Sequence, residues 1–225
     1  MIIVQAGHEN IASNCDPALR GETGAPGEES NNVSVANLVV LKLLSLGVEA
    51  RAVDANFNCD PTVSQPYDAV IALHCQSDPP AESGWDVGVG DPARDGAAAE
   101  SARLALNIAA WYEAATGLPR RTWCQNNPNV QDYYLFNSLG ASTPFCLIEM
   151  MNVKLDYDYY VLNTYRMVDG LVNGILGFLG RQTIAIPTSP PEPTQTTQPT
   201  QSVTPTIDAV ITLLEEVLAK LKEIA

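Results

Sequence analysis

The sequence is poor in basic residues and in histidine. It holds 12 lysines and arginines against 26 aspartates and glutamates, which gives a formal charge of −14, and only two histidines. A nucleic-acid partner needs a basic face that neutralises phosphates, so the charge argues against nucleic-acid binding. The negative charge also argues against electrostatic binding to anionic lipid. A carbohydrate or peptide substrate is compatible with an acidic protein.

Long apolar runs are also lacking. No run of about 18 apolar residues is present, so we predict no membrane-spanning helix. The chain opens with a strand-like segment, residues 2–6, where a signal peptide would have a basic start and a long apolar region. With no signal peptide visible, we expect synthesis in the cytoplasm, or a leader that has been removed.

The cysteines are few and do not follow a metal-binding pattern. There are five, and none lies in a C-x-x-C spacing. An odd number without paired spacing indicates neither a disulfide framework nor a cysteine zinc site. We therefore expect free and mostly buried thiols. The residues concerned are Cys15, Cys59, Cys75, Cys124 and Cys146.

Residues 1–180 alternate between strand-like and helix-like patterns. Short apolar runs rich in β-branched residues are typical of buried parallel strands. Longer stretches place apolar residues on one helical face. This alternation predicts an α/β domain with three αβα layers and a mostly parallel twisted sheet that has helices on both faces. The predicted strands are 2–6, 48–53, 69–73 and 145–148, and the predicted helices are 33–46, 100–115 and 158–179.

The C-terminal part differs in composition from residues 1–180. We predict a linker over residues 181–206, because its Pro-, Thr-, Gln- and Ser-rich stretch cannot bury enough surface to fold. Residues 207–225 repeat apolar positions every seven residues, which predicts an amphipathic helix. Such a short helix is marginal alone in water, so it needs a partner. Self-association into a homo-oligomer is the simplest arrangement, and packing onto its own domain is the alternative.

Both histidines and one glutamate fall where predicted strands end. His8 follows the first strand, His74 follows the third, and Glu149 follows the fourth. Open α/β sheets build their sites at the carboxyl ends of parallel strands, so these side chains are expected at one edge. Two neutral imidazoles and one carboxylate make a three-ligand zinc site with an open fourth position. The pattern therefore indicates a zinc centre.

Hydrolysis at such a centre requires a second acid. Zinc makes a bound water nucleophilic, and a general base must lie within hydrogen-bond reach of that water. One carboxylate would serve as ligand and another as base. Beside Glu149, the loop after His8 offers several acids, and spacing alone does not choose among them. They are Glu9, Asp16, Glu22, Glu28 and Glu29.

The region around His8 carries a more specific pattern. Gly7-His8 is followed by a glycine-rich loop over residues 21–29 and by a helix ending at Leu46-Gly47. This pattern resembles the N-terminal half of the zinc-dependent N-acetylmuramoyl-L-alanine amidases, the cell-wall amidases of bacterial autolysins and phage endolysins. Further motifs follow in the family's order through residues 1–180, which is more specific than any single motif. They are His74 at a strand end, Gly84-Trp85-Asp86, Thr116-Gly117-Leu118, Arg120-Arg121, and the segment 143–149 ending in Glu149.

The resemblance implies a set of roles. In the family, the first histidine, a glutamate that opens the following helix and the second histidine bind Zn²⁺. These roles would fall on His8, Glu28 and His74, with Glu29 as the alternative to Glu28. The family's catalytic base matches Glu149.

The resemblance also implies a substrate. The substrate would be peptidoglycan, cut at the amide between the lactyl group and L-alanine after release of the protein to the cell wall. Substrate contacts would fall on Gln76, Asp86 and Arg121.

Some positions depart from the family pattern. The loop between His8 and Glu28 is longer than usual, and Met150-Met151 follows Glu149 where Gly-Phe is common. These departures affect the substrate pocket and leave the ligands and base intact. Two other functions stay open. The same ligands would serve a zinc peptidase or deacylase, and a degenerate domain would be a cell-wall-binding or assembly module without activity.

Overall fold

A five-stranded sheet forms the centre of the molecule. The computed structural model describes residues 1–20, 24–77, 82–125 and 127–186. The strand order is β2-β1-β3-β5-β4, and every neighbouring pair is parallel except β4 with β5. The predicted α/β class with a mostly parallel sheet is confirmed. The strands are β1 (Ile2–Ala6), β2 (Ala50–Val53), β3 (Ala69–Gln76), β4 (Asp86–Gly88) and β5 (Phe145–Asn152).

Helices cover the two faces of the sheet unequally. The long helices α1, α2 and α5 share one core with the sheet, and the short helices α3 and α4 lie in the core on the other face together with the 3-10 turn Ala55–Cys59. The three predicted helices thus form a single layer, and the second layer consists of segments too short to show helical periodicity in sequence. The helices are α1 (Glu28–Ser45), α2 (Ala98–Thr116), α3 (Pro128–Gln131), α4 (Tyr134–Ser138) and α5 (Tyr157–Phe178).

Side-chain alternation along the strands determines which face each residue meets. In β3, Ile71 and Leu73 pack beneath the long helices, whereas Val70 and Ala72 pack against the short ones. Successive strand residues point to opposite faces, so His74 lies on the same side as Ala72. His74 therefore lies on the face with the short helices.

The strand register places three polar residues in a row. His74 of β3 lies opposite Glu149 of β5, and Glu149 lies opposite Asp86 of β4. Neighbouring strands are about 4.8 Å apart, so the row spans two strand spacings. The antiparallel strand β4 was not predicted, because three residues ending in glycine give no strand signal.

Two cysteines form a disulfide, so the prediction of free thiols is wrong for them. Cys15, in the loop after β1, is bonded to Cys59 at the end of the 3-10 turn after β2. Their separation of 44 residues gives no local signal, and only the sheet order brings the two loops together. The prediction is confirmed for Cys75, Cys124 and Cys146, which are free and buried.

The compact unit containing the sheet runs from Met1 to Ile186. It extends past the predicted boundary at Gly180, because Arg181 donates to the Gly47 carbonyl and the Ile184 amide donates to Asn173. The rest of the predicted linker and the predicted helix 207–225 lie outside the described residues. Within the described ranges, no helix combines the length and apolar character that a membrane crossing requires.

Candidate metal centre

His8 is positioned by an unusual backbone conformation just after β1. The Gly7 amide donates to the Leu73 carbonyl at 2.9 Å and continues the ladder between β1 and β3. His8 then adopts φ 65°, a left-handed conformation that is uncommon for a residue with a side chain. This turn brings His8 Nε2 to 3.2 Å from Glu28 Oε1.

Glu28 is the first residue of α1 and is held at both carboxylate oxygens. The amide of Ala25 donates to Oε2 at 2.9 Å, and the amide of Cys75 donates to Oε1 at 3.2 Å. The side chain is buried. Its place at the helix start also puts the carboxylate near the positive end of the helix dipole. These contacts fix Oε1 between the two histidines.

His74 lies near the end of β3 with both ring nitrogens engaged. Its Nδ1 is 3.3 Å from Glu28 Oε1, and its Nε2 is 2.8 Å from the Tyr133 hydroxyl. The ring lies against Gly7, where a Cβ atom would come within 2.4 Å of ring atoms. Glycine at position 7 therefore allows the ring its close approach to β1.

The three side chains fit a zinc ion. One donor atom from each of His8, Glu28 and His74 lies within 4.8 Å of the others. Two of the separations are 3.2 and 3.3 Å. Tetrahedral zinc with bonds near 2.1 Å places its donors about 3.4 Å apart. The donor chemistry matches, and so do the two separations to Glu28, which is the predicted alternative that the structure brings to the histidines.

The protonation states of the cluster suit a cation. Burial opposes ionisation of Glu28, but hydrogen bonds and charge at His74 and His8 outweigh it and hold the pKa of Glu28 well below its usual range. Burial lowers the pKa of His74, although Glu28 acts in the opposite direction. The site thus offers an ionised carboxylate and a neutral His74 imidazole, the forms that ligate a metal.

Glu149 lies beside this cluster in the next strand. Its Oε2 is buried and has no hydrogen-bond partner among the described residues. Burial, and then the charge of Glu28, raise the pKa of Glu149 to about 8. An unpartnered buried carboxylate oxygen is costly, which points to a ligand or water at this position.

The residues predicted to contact substrate differ in solvent exposure. Asp86 is fully buried and accepts hydrogen bonds from the Cys124 amide and Arg120. Arg121 is partly exposed, and its Nε donates to the Ser83 carbonyl at 2.7 Å. Gln76, at the end of β3, is partly exposed. Direct substrate contact by these residues stays a prediction.

Three residues near His74 were not found from the sequence. Tyr133, Tyr134 and Gln5 form a hydrogen-bonded group behind the His74 ring. Gln5 gave a usable signal, because it is the one polar residue in the apolar strand β1. The tyrosines gave none, since they lie in short helical segments without clear periodicity.

Comparison with known proteins gives structural matches only. No protein-family model and no curated protein sequence matches this chain. Among solved structures, the chain is similar to the N-acetylmuramyl-L-alanine amidase Ami1 from Mycobacterium smegmatis, with a TM-score of 0.65 and 23% identity over 80% of this chain and 97% of that one.

Two further solved structures are similar. Ami1 from Mycobacterium abscessus gives a TM-score of 0.60 at 22% identity and covers 79% of this chain and 97% of its own. The catalytic domain of the CD27L endolysin, which targets Clostridia difficile, gives 0.55 at 17% identity and covers 82% and 99%. The chain therefore has the fold of N-acetylmuramoyl-L-alanine amidase catalytic domains.

Proposed function

We propose that this protein is a zinc-dependent N-acetylmuramoyl-L-alanine amidase. Its substrate would be peptidoglycan, cut at the amide between the lactyl group of the muramic acid and the L-alanine of the stem peptide. The observation that carries the proposal is the convergence of His8, Glu28 and His74 beside Glu149, whose buried Oε2 has no hydrogen-bond partner among the described residues. The shared fold supports it, because the two similar Ami1 structures are named as N-acetylmuramyl-L-alanine amidases.

In this proposal His8, Glu28 and His74 would hold a zinc ion. When bound, zinc supplies Lewis acidity that polarises the amide carbonyl and activates water. The chain's contribution is a rigid set of donors. Glu28 is held by two backbone amides, and His74 lies against Gly7 and Tyr133. Such fixed donors favour a metal site that is formed before substrate arrives.

Glu149 is the proposed general base. Its carboxylate accepts a proton from the attacking water and donates it to the nitrogen of L-alanine as the carbon–nitrogen bond breaks. The proton that Glu149 gains is the one it returns, so the residue ends the cycle ionised. Burial and Glu28 raise the pKa of Glu149 to about 8, and a nearby cation favours its ionised form. This balance suits a group that must take and release a proton near neutral pH.

The remaining predicted residues surround this centre. Arg121 and Gln76 are partly exposed, which supports a role in contacting the stem peptide. The buried carboxylate of Asp86 favours a different role, since it holds the Cys124 amide and Arg120 beside β4. We propose that Asp86 supports the pocket wall next to Glu149.

The cell wall is the proposed place of action. Disulfides persist in oxidising surroundings outside the cytoplasm and are rare within it. The Cys15–Cys59 disulfide therefore supports action after export or release, in accord with a peptidoglycan substrate.

The decisive experiment is mass spectrometry of purified peptidoglycan after digestion. We expect zinc-loaded wild-type protein to release stem peptides with a free L-alanine amine and leave lactyl carboxylates on the glycan. Glu149→Gln should bind zinc yet lose activity by a factor on the order of 10² or more. Glu113→Gln, an exposed substitution on α2, is the matched control and should retain activity.

The competing functions give different products. Cuts between stem-peptide residues with the lactyl–alanine bond intact would indicate a zinc peptidase instead. Binding to peptidoglycan without any cleavage by zinc-loaded protein would indicate a binding module. Full activity of Glu149→Gln would contradict the assignment of the base.

A further inference from the structure

A chain of hydrogen bonds runs from His74 into the core. His74 Nε2 lies 2.8 Å from the Tyr133 hydroxyl, which donates to Gln5 Oε1 at 2.9 Å. Gln5 Nε2 in turn donates to the Tyr134 hydroxyl at 3.1 Å. These hydrogen bonds link β3, the segment around α4, and β1. The four side chains therefore come together only when the sheet has folded. The hydrogen-bonded chain lies on the side of the His74 ring away from Glu28.

The direction of the hydrogen bonds follows from the donors available. His74 Nδ1 faces Glu28, so it is the nitrogen available to a metal, and the ring proton must then lie on Nε2. Nε2–H donates to the Tyr133 oxygen. The single Tyr133 hydroxyl proton is then directed to Gln5 Oε1, because that amide oxygen can only accept. The His74 Nε2–H, the Tyr133 hydroxyl and one N–H of Gln5 therefore each have an acceptor.

Simple core packing does not account for this group. Gln5 is completely buried in a strand whose other residues are apolar. Burying an amide costs free energy unless its hydrogen bonds are satisfied, and an apolar residue would avoid this cost. A buried glutamine here has a clear use only as the acceptor that orients Tyr133.

We propose that Tyr133 and Gln5 are positioning residues for the metal centre. They hold His74 in the tautomer with a free Nδ1 lone pair and hold its ring plane toward Glu28. This inference rests on the proposed function, since it assumes that His74 is a zinc ligand. Outer partners of this kind orient a metal-bound histidine and raise its basicity.

The test measures zinc affinity and not turnover. Full-length protein is stripped of metal and titrated with zinc against a chromogenic chelator. Tyr133→Phe removes one hydroxyl, and we expect zinc affinity to fall between about 10- and 100-fold. Tyr67→Phe is the matched control, because its buried hydroxyl bonds to Thr62 and lies before the start of β3. The control should bind zinc as wild type does.

A double-variant cycle separates positioning from general destabilisation. Gln5→Met keeps the side-chain length and removes the acceptor, and it should weaken zinc binding less than Tyr133→Phe does. In the Tyr133→Phe background, Gln5→Met should cause no further loss, because Gln5 acts only through Tyr133. Cobalt(II) bound in place of zinc gives a second readout, and a turned His74 ring should shift its visible absorption bands in both single variants.

The outcomes distinguish the two proposals. If wild type binds zinc and Tyr133→Phe binds it equally well, the positioning role is overturned and the amidase proposal stands. If wild type binds no zinc, the metal centre itself is overturned, and this role with it. If Tyr133→Phe does not fold, the zinc affinity of Gln5→Met alone tests the positioning role. An affinity equal to that of wild type would then overturn the inference.

Discussion

The two halves of the candidate centre are positioned by different kinds of structure. His74 and Glu149 belong to neighbouring parallel strands, and their register places them side by side. His8 and Glu28 belong to a long loop and to the first turn of a helix. Their geometry depends on the left-handed His8 backbone and on two amides that hold the Glu28 carboxylate. The strand half is thus fixed by the sheet, and the loop half needs its own supports.

The Cys15–Cys59 disulfide is one of these supports. It ties the loop that separates His8 from Glu28 to the turn after β2. Gly24 is another, since it has φ +69° and a Cβ there would lie 2.7 Å from both Glu28 and His8. A loop that is cross-linked and closely packed can therefore hold candidate donors in place, as a sheet does.

The largest expected effect comes from the strand half. His74→Ala removes a donor and leaves the buried Glu28 carboxylate with one imidazole fewer, so zinc content should fall well below one ion per chain. Elemental analysis of the purified variant measures this. Stoichiometric zinc in the variant would remove His74 from the ligand set. Zinc content in Glu113→Gln, an exposed substitution on α2, provides the control.

An intermediate effect is expected from the loop half. Replacing both Cys15 and Cys59 by serine opens a loop of 44 residues and should lower the free energy of unfolding by about 3 kcal/mol. Zinc affinity should fall on the order of tenfold, because His8 and Glu28 lose a restraint on their orientation.

Denaturant unfolding and chelator competition measure these two quantities. Wild type treated with a phosphine reductant should behave like the double variant. A large loss of stability with unchanged zinc affinity would show that the strand half and Glu28 alone determine the metal geometry.

The smallest effect is expected at Glu29. Among the described residues, this exposed side chain accepts one long hydrogen bond, 3.4 Å, from the Asn10 amide. Glu29→Gln should therefore change zinc affinity by no more than about twofold, as is usual for surface substitutions. The adjacent Glu28→Gln should weaken binding strongly, because it replaces a charged donor. Equal effects of the two substitutions in a zinc titration would restore Glu29 as the alternative ligand.

The same division explains what could be predicted from the sequence. His74 and Glu149 follow apolar runs, and parallel strands end at one edge, so their proximity followed from pattern alone. Choosing Glu28 over its neighbours needed the resemblance to a family. The disulfide, the antiparallel strand β4 and the Tyr133–Gln5 pair could not be predicted, because each depends on contacts between segments far apart in the chain. Of these features, only Gln5 is recognisable in the sequence, because it is a polar residue in an otherwise apolar strand.

The close contact between Gly7 and the His74 ring has a consequence for the metal-free protein. The ring lies against main chain on one side and meets a tyrosine hydroxyl on another, and both contacts restrain its rotation. Losing the ion would therefore leave the donors close to their working arrangement. If the proposed zinc site holds, reloading would then require only capture of the cation, without refolding of the surrounding chain.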